Sequence, residues 1–129
     1  MWNNLAAQDD FLESMAASAQ AVADYFGDRI LYINVMNKLS IDCDCDAHPH
    51  DPEMKDIGIL ASLDPVALDQ ACLDLVYAVK PSAGDNSKPL IERIESRHGR
   101  HTVDYAEQIG LGTRKYALKE LEPQQGVHW

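Results

Sequence analysis

Two short apolar runs limit the fold of this chain more than any other feature of its sequence. Residues 30–36 and 57–61 are rich in β-branched and large apolar side chains on both faces of the expected strands. Strands of this kind are typical of a mostly parallel sheet covered by helices on both sides. Residues 114–121 alternate enough to predict a third strand at a sheet edge. The sequence therefore predicts an α/β fold with a small, mostly parallel sheet of about three strands flanked by helices.

Four helices are expected around these strands. Their predicted first residues or N-caps are Asp10, Asp64, Pro89 and Thr102. Asp10 opens a capping box, and Asp64 followed by Pro65 combines a favoured N-cap with a favoured first helical residue. Glycines at positions 27, 99 and 110 are expected to end three of the helices.

The length of 129 residues is typical of one domain. We assign residues 1–122 to a single α/β domain and expect residues 123–129 to be a flexible tail. A sheet of three strands has edges that must be covered. This favours either a homo-oligomer or a larger α/β unit, in which an upstream half of a longer protein completes the sheet.

The formal net charge of -10 argues against binding to nucleic acid or to anionic membranes, since both select basic surfaces. No apolar run approaches the length that spans a bilayer, and the first residues do not resemble a signal peptide. The chain has 3 cysteines, an odd number, without the spacing of a disulfide framework. We therefore expect a cytoplasmic protein that binds neither nucleic acid nor membrane.

Residues 42–51 form the most chemically dense stretch of the chain, with two cysteines, two histidines and four aspartates. Cys43 and Cys45 are two residues apart, as are His48 and His50, so in extended backbone each pair projects from one face. Sulfur and imidazole ligands together favour zinc or iron. The sequence predicts a metal site with these four residues as candidate ligands.

The spacing of these ligands is tighter than in most structural zinc sites, so two or three of them, completed by other side chains or water, are expected to bind. A cubane iron–sulfur cluster normally needs four cysteines. Cys72, the third cysteine, is expected on a helix as a small core residue, so a cluster would require ligands from elsewhere. The alternative is an acidic surface loop in which Cys43 and Cys45 bind no metal or form a disulfide.

Three functions remain open from these residues. The first is a metal-binding or iron–sulfur-associated domain with a redox or structural role. The second is a metal-dependent enzyme in which Asp64 or Asp69 acts as the base, because ligand sites in α/β folds gather near the amino ends of helices. The third is a metal-free structural or interaction module whose acidic half docks on a partner.

A basic cluster at residues 93–101 is the one concentration of positive charge in the sequence. Cations at the C-terminal end of a helix are the simplest interpretation of this cluster. Anion binding and docking on the acidic loop are its alternatives.

Several of these stretches resemble a known family. The similarity to the C-terminal part of domain of unknown function family 362 rests on Cys43 and Cys45, residues 56–62, residues 64–71, residues 105–107, residues 110–112 and Tyr116. Members of that family are described as uncharacterised iron–sulfur-centre proteins.

The resemblance implies roles for Cys43 and Cys45, and further for Asp56, Asp64 and Asp69. Many longer members carry a ferredoxin-type insert with spaced cysteines, which this sequence lacks, so the resemblance implies no ferredoxin cluster here. It supplies no settled reaction either.

Overall fold

The computed structural model describes residues 4–42, 47–48 and 50–121. This part of the chain contains four helices and a sheet of two strands. The elements in chain order are α1 (Leu5–Phe26), β1 (Tyr32–Met36), β2 (Gly58–Ser62), α2 (Pro65–Ala78), α3 (Lys88–Ser96) and α4 (Gly99–Gln108). None of these helices is long and apolar enough to cross a membrane.

The two strands pair antiparallel, with Val35 opposite Ile59. The prediction of a mostly parallel sheet of about three strands is therefore wrong, although the chain remains broadly α/β. Parallel pairing needs a crossover connection, usually a helix, and the described residues between β1 and β2 form no helix. Instead the Ile57 N–H donates to the Met36 carbonyl at 2.9 Å, so the chain returns alongside the strand that it left.

The predicted third strand at residues 114–121 is an irregular segment. The backbone N–H and the Nε of Arg114 both donate to the Glu107 carboxylate on α4, each at 2.8 Å. Tyr116 then donates its hydroxyl to Asp74 on α2 at 2.7 Å. Because side chains of two helices fix this segment, its alternating pattern does not lead to strand pairing.

The helix α2 is central to the packing, since it contacts both strands and α4, whereas α1 packs mainly on α4. One buried cluster joins α1, α2 and α4 and consists of Ala16, Val66, Val103 and Ala106. A second joins β1, α2 and the β1–β2 connection and consists of Met36, Met54 and Val76. The connection between the strands is therefore fixed to the core at Met54.

Two helices begin earlier than the sequence predicts. The N-cap of α1 is Asn4, whose side chain accepts from the Ala7 N–H at 3.2 Å, so Asp10 lies inside the helix. The helix α4 begins after His98, which adopts the left-handed conformation with φ 52°, and Thr102 lies within its first turn. Neither start has the capping box or hydroxyl cap that was expected.

Asp64 joins the start of α2 to the C-terminal segment. Its Oδ1 accepts from the N–H groups of Val66 and Ala67 at 2.9 and 3.0 Å, which confirms the predicted N-cap. Its Oδ2 accepts from the Thr113 N–H at 2.9 Å. A Cβ added at Gly112 would overlap this carboxylate, so glycine is needed there because of close approach. One side chain thus orders two distant parts of the chain.

We expect Asp64→Ala to lower the free energy of unfolding by about 1–2 kcal/mol, because it removes both the helix cap and the acceptor for Thr113. Asp64→Asn should cost less, since its amide oxygen keeps the cap while its NH₂ group cannot accept from Thr113. Urea unfolding followed by circular dichroism measures both losses. Equal losses in the two variants would contradict the contribution of the cap.

Gly112→Ala provides an independent check on the same contact. It should destabilise the wild-type chain but cost little more in an Asp64→Ala background, because the carboxylate that the new Cβ meets is then absent. Strictly additive losses in the double variant would show that the Asp64–Gly112 approach does not constrain the fold.

Candidate functional site

The residues predicted as metal ligands lie in the connection between β1 and β2. Cys43 and Cys45 fall outside the described residues, whereas His48 and His50 are described and exposed. Within residues 4–42, 47–48 and 50–121, no three His, Cys, Asp or Glu side chains are grouped as a metal site requires. The four-residue metal site therefore stays a prediction.

The N-terminal end of this connection is fixed by hydrogen bonds. Directly after β1, the N–H of Lys38 donates to Asp56 Oδ1 at 2.7 Å, and Lys38 itself takes the left-handed conformation with φ 52°. Four residues further on, Asp42 Oδ1 lies 2.9 Å from Nη1 of Arg93 on α3. Arg93 lies in the last turn of α3, as the simplest interpretation of the basic cluster predicts, and it also makes the contact with the acidic loop that was the alternative interpretation. By accepting the hydrogen bond from Lys38, Asp56 joins the two ends of the connection between β1 and β2.

The C-terminal end of the connection is tied to the segment between α2 and α3. Glu53 accepts at its backbone carbonyl from the Asn86 N–H at 2.8 Å. Lys55 donates its N–H to Asp85 Oδ1 at 3.0 Å. Met54 lies between these two residues and is buried. Both ends of the acidic stretch are therefore held by backbone and side-chain contacts.

The rest of the basic cluster has other partners. His98 Nδ1 lies 2.8 Å from Asp9, and His101 Nε2 lies 2.9 Å from Glu13. Both carboxylates belong to α1, so these histidines join α4 to α1. The cluster is therefore structural in large part, and the interpretation as an anion site gains no support from these contacts.

A cavity of about 300 Å³ lies where the connection leaves the sheet. Its walls include Met36 and Leu39, which lead into the connection, together with Asp69 and Cys72 from α2 and Leu90 from α3. This volume is at the lower end of the range for small-molecule sites. The candidate site therefore combines the acidic loop with a small, mostly apolar cavity beside it.

Three side chains form a polar group on the inner face of the sheet at this cavity. The Nδ2 of Asn34 donates to Asp69 Oδ1 at 2.9 Å and lies 3.4 Å from Cys72 Sγ. Asp69 and Cys72 share one face of α2 because they are three residues apart. Asp69 and Cys72 stand out in the sequence, whereas Asn34 does not. Its one signal was a polar residue inside an otherwise apolar run.

The Cys72 thiol is free and half-buried. Burial raises the pKa of Cys72 above its ordinary value; the hydrogen bond from Asn34 opposes this shift, and the charge of Asp69 adds to it. A thiol with a raised pKa is protonated at neutral pH and is a poor nucleophile and metal ligand. This agrees with the expectation that Cys72 is a packing residue.

The two aspartates considered as general bases have different surroundings. Asp64 accepts from three backbone N–H groups through both of its carboxylate oxygens. These hydrogen bonds give Asp64 a structural role. Asp69 lines the cavity and is oriented by Asn34. Of the two, Asp69 is the better placed to meet a bound molecule.

The surroundings of Cys72 predict how its thiol titrates. In a Cys43→Ser/Cys45→Ser background, where Cys72 is the one remaining thiol, alkylation should follow a titration midpoint above the ordinary cysteine value of about 8.5. Asp69→Asn should lower this midpoint because it removes a nearby negative charge, and Asn34→Ala should raise it because it removes a donor to the thiolate. Alkylation rates measured against pH report the midpoint separately from accessibility. A midpoint unmoved by both substitutions would contradict this arrangement.

Comparison with known proteins supports the resemblance seen in the sequence. The family profile of the domain of unknown function DUF362 matches residues 1–74, more than half of the chain. The match includes α1, both strands, the acidic connection and most of α2, and it ends before the motifs around Gly110 and Tyr116. No curated protein and no solved structure shows a significant match. The chain belongs to the DUF362 family of domains of unknown function.

Proposed function

We propose that this domain binds a zinc or iron ion through Cys43 and Cys45, with His48 or His50 as a further ligand. The observation that carries the proposal is the density of sulfur and nitrogen donors in residues 42–51. These donor types suit zinc and iron better than calcium or magnesium. If iron is held in an iron–sulfur cluster, the remaining ligands come from outside this loop.

The contacts that fix both ends of the loop support this proposal. Lys38 is joined to Asp56, and Asp42 is joined to Arg93, so the chain entering and leaving the stretch is held in place. Fixed ends reduce the conformational entropy that is lost when a loop closes around an ion. The short stretch that carries the thiols is therefore well suited to close on a metal.

The charges of the loop favour a site that is completed by its metal. The four aspartates are Asp42, Asp44, Asp46 and Asp51. Their negative charge disfavours thiolates in the empty loop but attracts a divalent cation, and carboxylates can orient imidazole ligands by accepting from the second ring nitrogen. Arg93 balances the charge of Asp42 at the start of the loop.

The cavity beside the loop favours a second candidate function, a metal-dependent enzyme. With an open coordination position, an ion in the loop would activate water or polarise a carbonyl group, and Asp69 would serve as the base. Leu39 lines the cavity three residues before Asp42, so a molecule in the cavity would lie close to the start of the loop.

Metal analysis of protein purified without a histidine tag tests the proposal. The wild-type chain should contain zinc or iron in stoichiometric amount, and Cys43→Ser/Cys45→Ser should lose nearly all of it. Cys72→Ser is the matched control and should keep the metal, because its thiol is protonated and lies at the cavity wall. Unchanged metal in the double variant, or a metal-free wild type, would overturn the site and favour the metal-free acidic surface.

Spectroscopy distinguishes the two metal functions. When cobalt replaces the native ion, the visible spectrum should show bands from thiolate coordination. Azide should change this spectrum if a coordination position is open, as an enzyme requires. In a closed structural site, azide should leave the spectrum unchanged. A structural metal should also raise the melting temperature, and a chelator should reverse this.

A further inference from the structure

The walls of the cavity beside the loop are aliphatic over most of their area. The apolar side chains that line it are Met36, Leu39, Leu73, Val76, Leu90 and Val103. The polar ones are the Asp69 carboxylate, the Cys72 thiol and the Thr102 hydroxyl. Within the part of the chain that the structure describes, Asp69 is therefore the one charged residue of the cavity wall.

Asp69 uses one carboxylate oxygen within the fold and keeps the other for a bound molecule. Its Oδ1 accepts from Nδ2 of Asn34 at 2.9 Å, which holds the carboxylate at the cavity. Among residues 4–42, 47–48 and 50–121, no group donates to Oδ2 and no basic side chain pairs with this carboxylate. An ionised carboxylate accepts several hydrogen bonds, so Oδ2 is an oriented acceptor without a donor from these residues.

The neighbours of Asp69 in the cavity leave its negative charge uncompensated. The Cys72 thiol is protonated because burial raises its pKa, and the charge of Asp69 adds to this shift. The Thr102 hydroxyl is uncharged. An anion in the cavity would be repelled by Asp69 and by the net charge of -10, whereas a cation would be attracted. The cavity therefore selects for positive charge at one end and for apolar surface elsewhere.

We propose that this cavity binds a small organic amine, whose ammonium group donates to Asp69 Oδ2 and whose apolar body packs on the aliphatic walls. A hydrogen bond between charged groups is about twice as strong as one between neutral groups. The apolar body adds the free energy of removing hydrocarbon from water. A bare metal ion would find one carboxylate and would leave the aliphatic walls in contact with water, so it fits the cavity less well.

The volume of the cavity limits the size of the amine. About 300 Å³ corresponds to roughly ten water molecules at about 30 Å³ each, and therefore to a molecule of roughly ten non-hydrogen atoms. Asp69 contributes binding alone in this proposal, which does not rest on the proposed metal site.

Phenethylamine has about this size and serves as the probe. We expect titration of the isotope-labelled full chain, followed by NMR, to give a Kd in roughly the millimolar range, with shifts centred on cavity residues such as Leu39, Val76 and Val103. 2-Phenylethanol replaces the ammonium group by a hydroxyl and should bind about fivefold more weakly, and phenylacetate more weakly still. Added salt should weaken the amine but not the alcohol.

Asp69→Asn removes the charge while its amide oxygen still accepts from Asn34. It should weaken phenethylamine about fivefold, to the affinity of the alcohol, and leave the alcohol unchanged. The matched control is Asp24→Asn, which makes the same change of net charge at an exposed position on α1 and should alter neither affinity. Thr102→Phe fills the cavity and should remove the binding of both molecules. Circular dichroism verifies the fold of each variant.

Equal affinity for the amine and the alcohol in the wild type would overturn the proposal, as would shifts that avoid the cavity or no binding at all. An Asp69→Asn variant that binds the amine as well as the wild type does, or an equal loss in Asp24→Asn, would also contradict it. The titration is repeated in Cys43→Ser/Cys45→Ser, where amine binding should persist without the loop thiols. Its loss there would show that the cavity is not an independent site, whereas metal content alone decides the proposed metal function.

Discussion

The antiparallel pairing of β1 with β2 is the constraint on which the other features of this structure depend. It requires the chain after Met36 to turn back, and the hydrogen bond from Ile57 to the Met36 carbonyl shows where the return is complete. Everything between those two residues becomes a connection at one end of the sheet. The acidic stretch therefore lies in the connection at a strand end, and its flanks are fixed by the contacts of Lys38 with Asp56 and of Asp42 with Arg93.

In the same pairing, α2 packs on one face of the sheet, and the side chains of the other face, such as Val35 and Ile59, are exposed. The inner face is specified in detail, since Asn34 bonds Asp69 across the strand–helix contact and Met36 packs beside Val76. The exposed face carries the apolar side chains Ile33, Val35, Ile59 and Ala61. A two-stranded sheet buried on one side is marginal by itself, so its stability depends on α2 and on the start of that helix at Asp64. Asp64 also accepts from the Thr113 N–H, which joins the C-terminal segment to the same helix end.

The local elements were largely predictable from the sequence, and their assembly was not. Asp64 and Pro65 mark the start of α2 because capping is a property of adjacent residues, and the strands at residues 30–36 and 57–61 follow from their composition. Whether β1 and β2 pair parallel or antiparallel depends on the connection between them. The residues of that connection are polar and show no helical period, so the sequence does not predict a crossover helix there. Apolar side chains on both faces of a strand predict two covering layers, but they are equally expected where one covering layer belongs to another molecule. The sequence did not distinguish these situations.

The sequence draws attention to the candidate metal ligands but not to the polar group that the structure places at the cavity. The sulfur and nitrogen donors stand out because they are adjacent in sequence, whereas the Asn34, Asp69 and Cys72 group is formed by residues on two elements and carries no pattern. Cys72 shows why residue type alone is insufficient. Burial raises the pKa of its thiol and keeps it protonated as a packing residue, whereas a thiol with a lowered pKa is the better nucleophile and metal ligand.

The proposed metal loop and the cavity beside it are attached to the same strand end, so the two are physically connected. Met36 and Leu39 line the cavity, and Leu39 lies three residues before Asp42, where the acidic stretch begins. The hydrogen bond from Lys38 to Asp56 and the ion pair of Asp42 with Arg93 restrict this part of the chain. Because restricted ends reduce the entropy that a loop loses on closing, the contacts that shape the cavity wall would also favour closure of the loop around an ion.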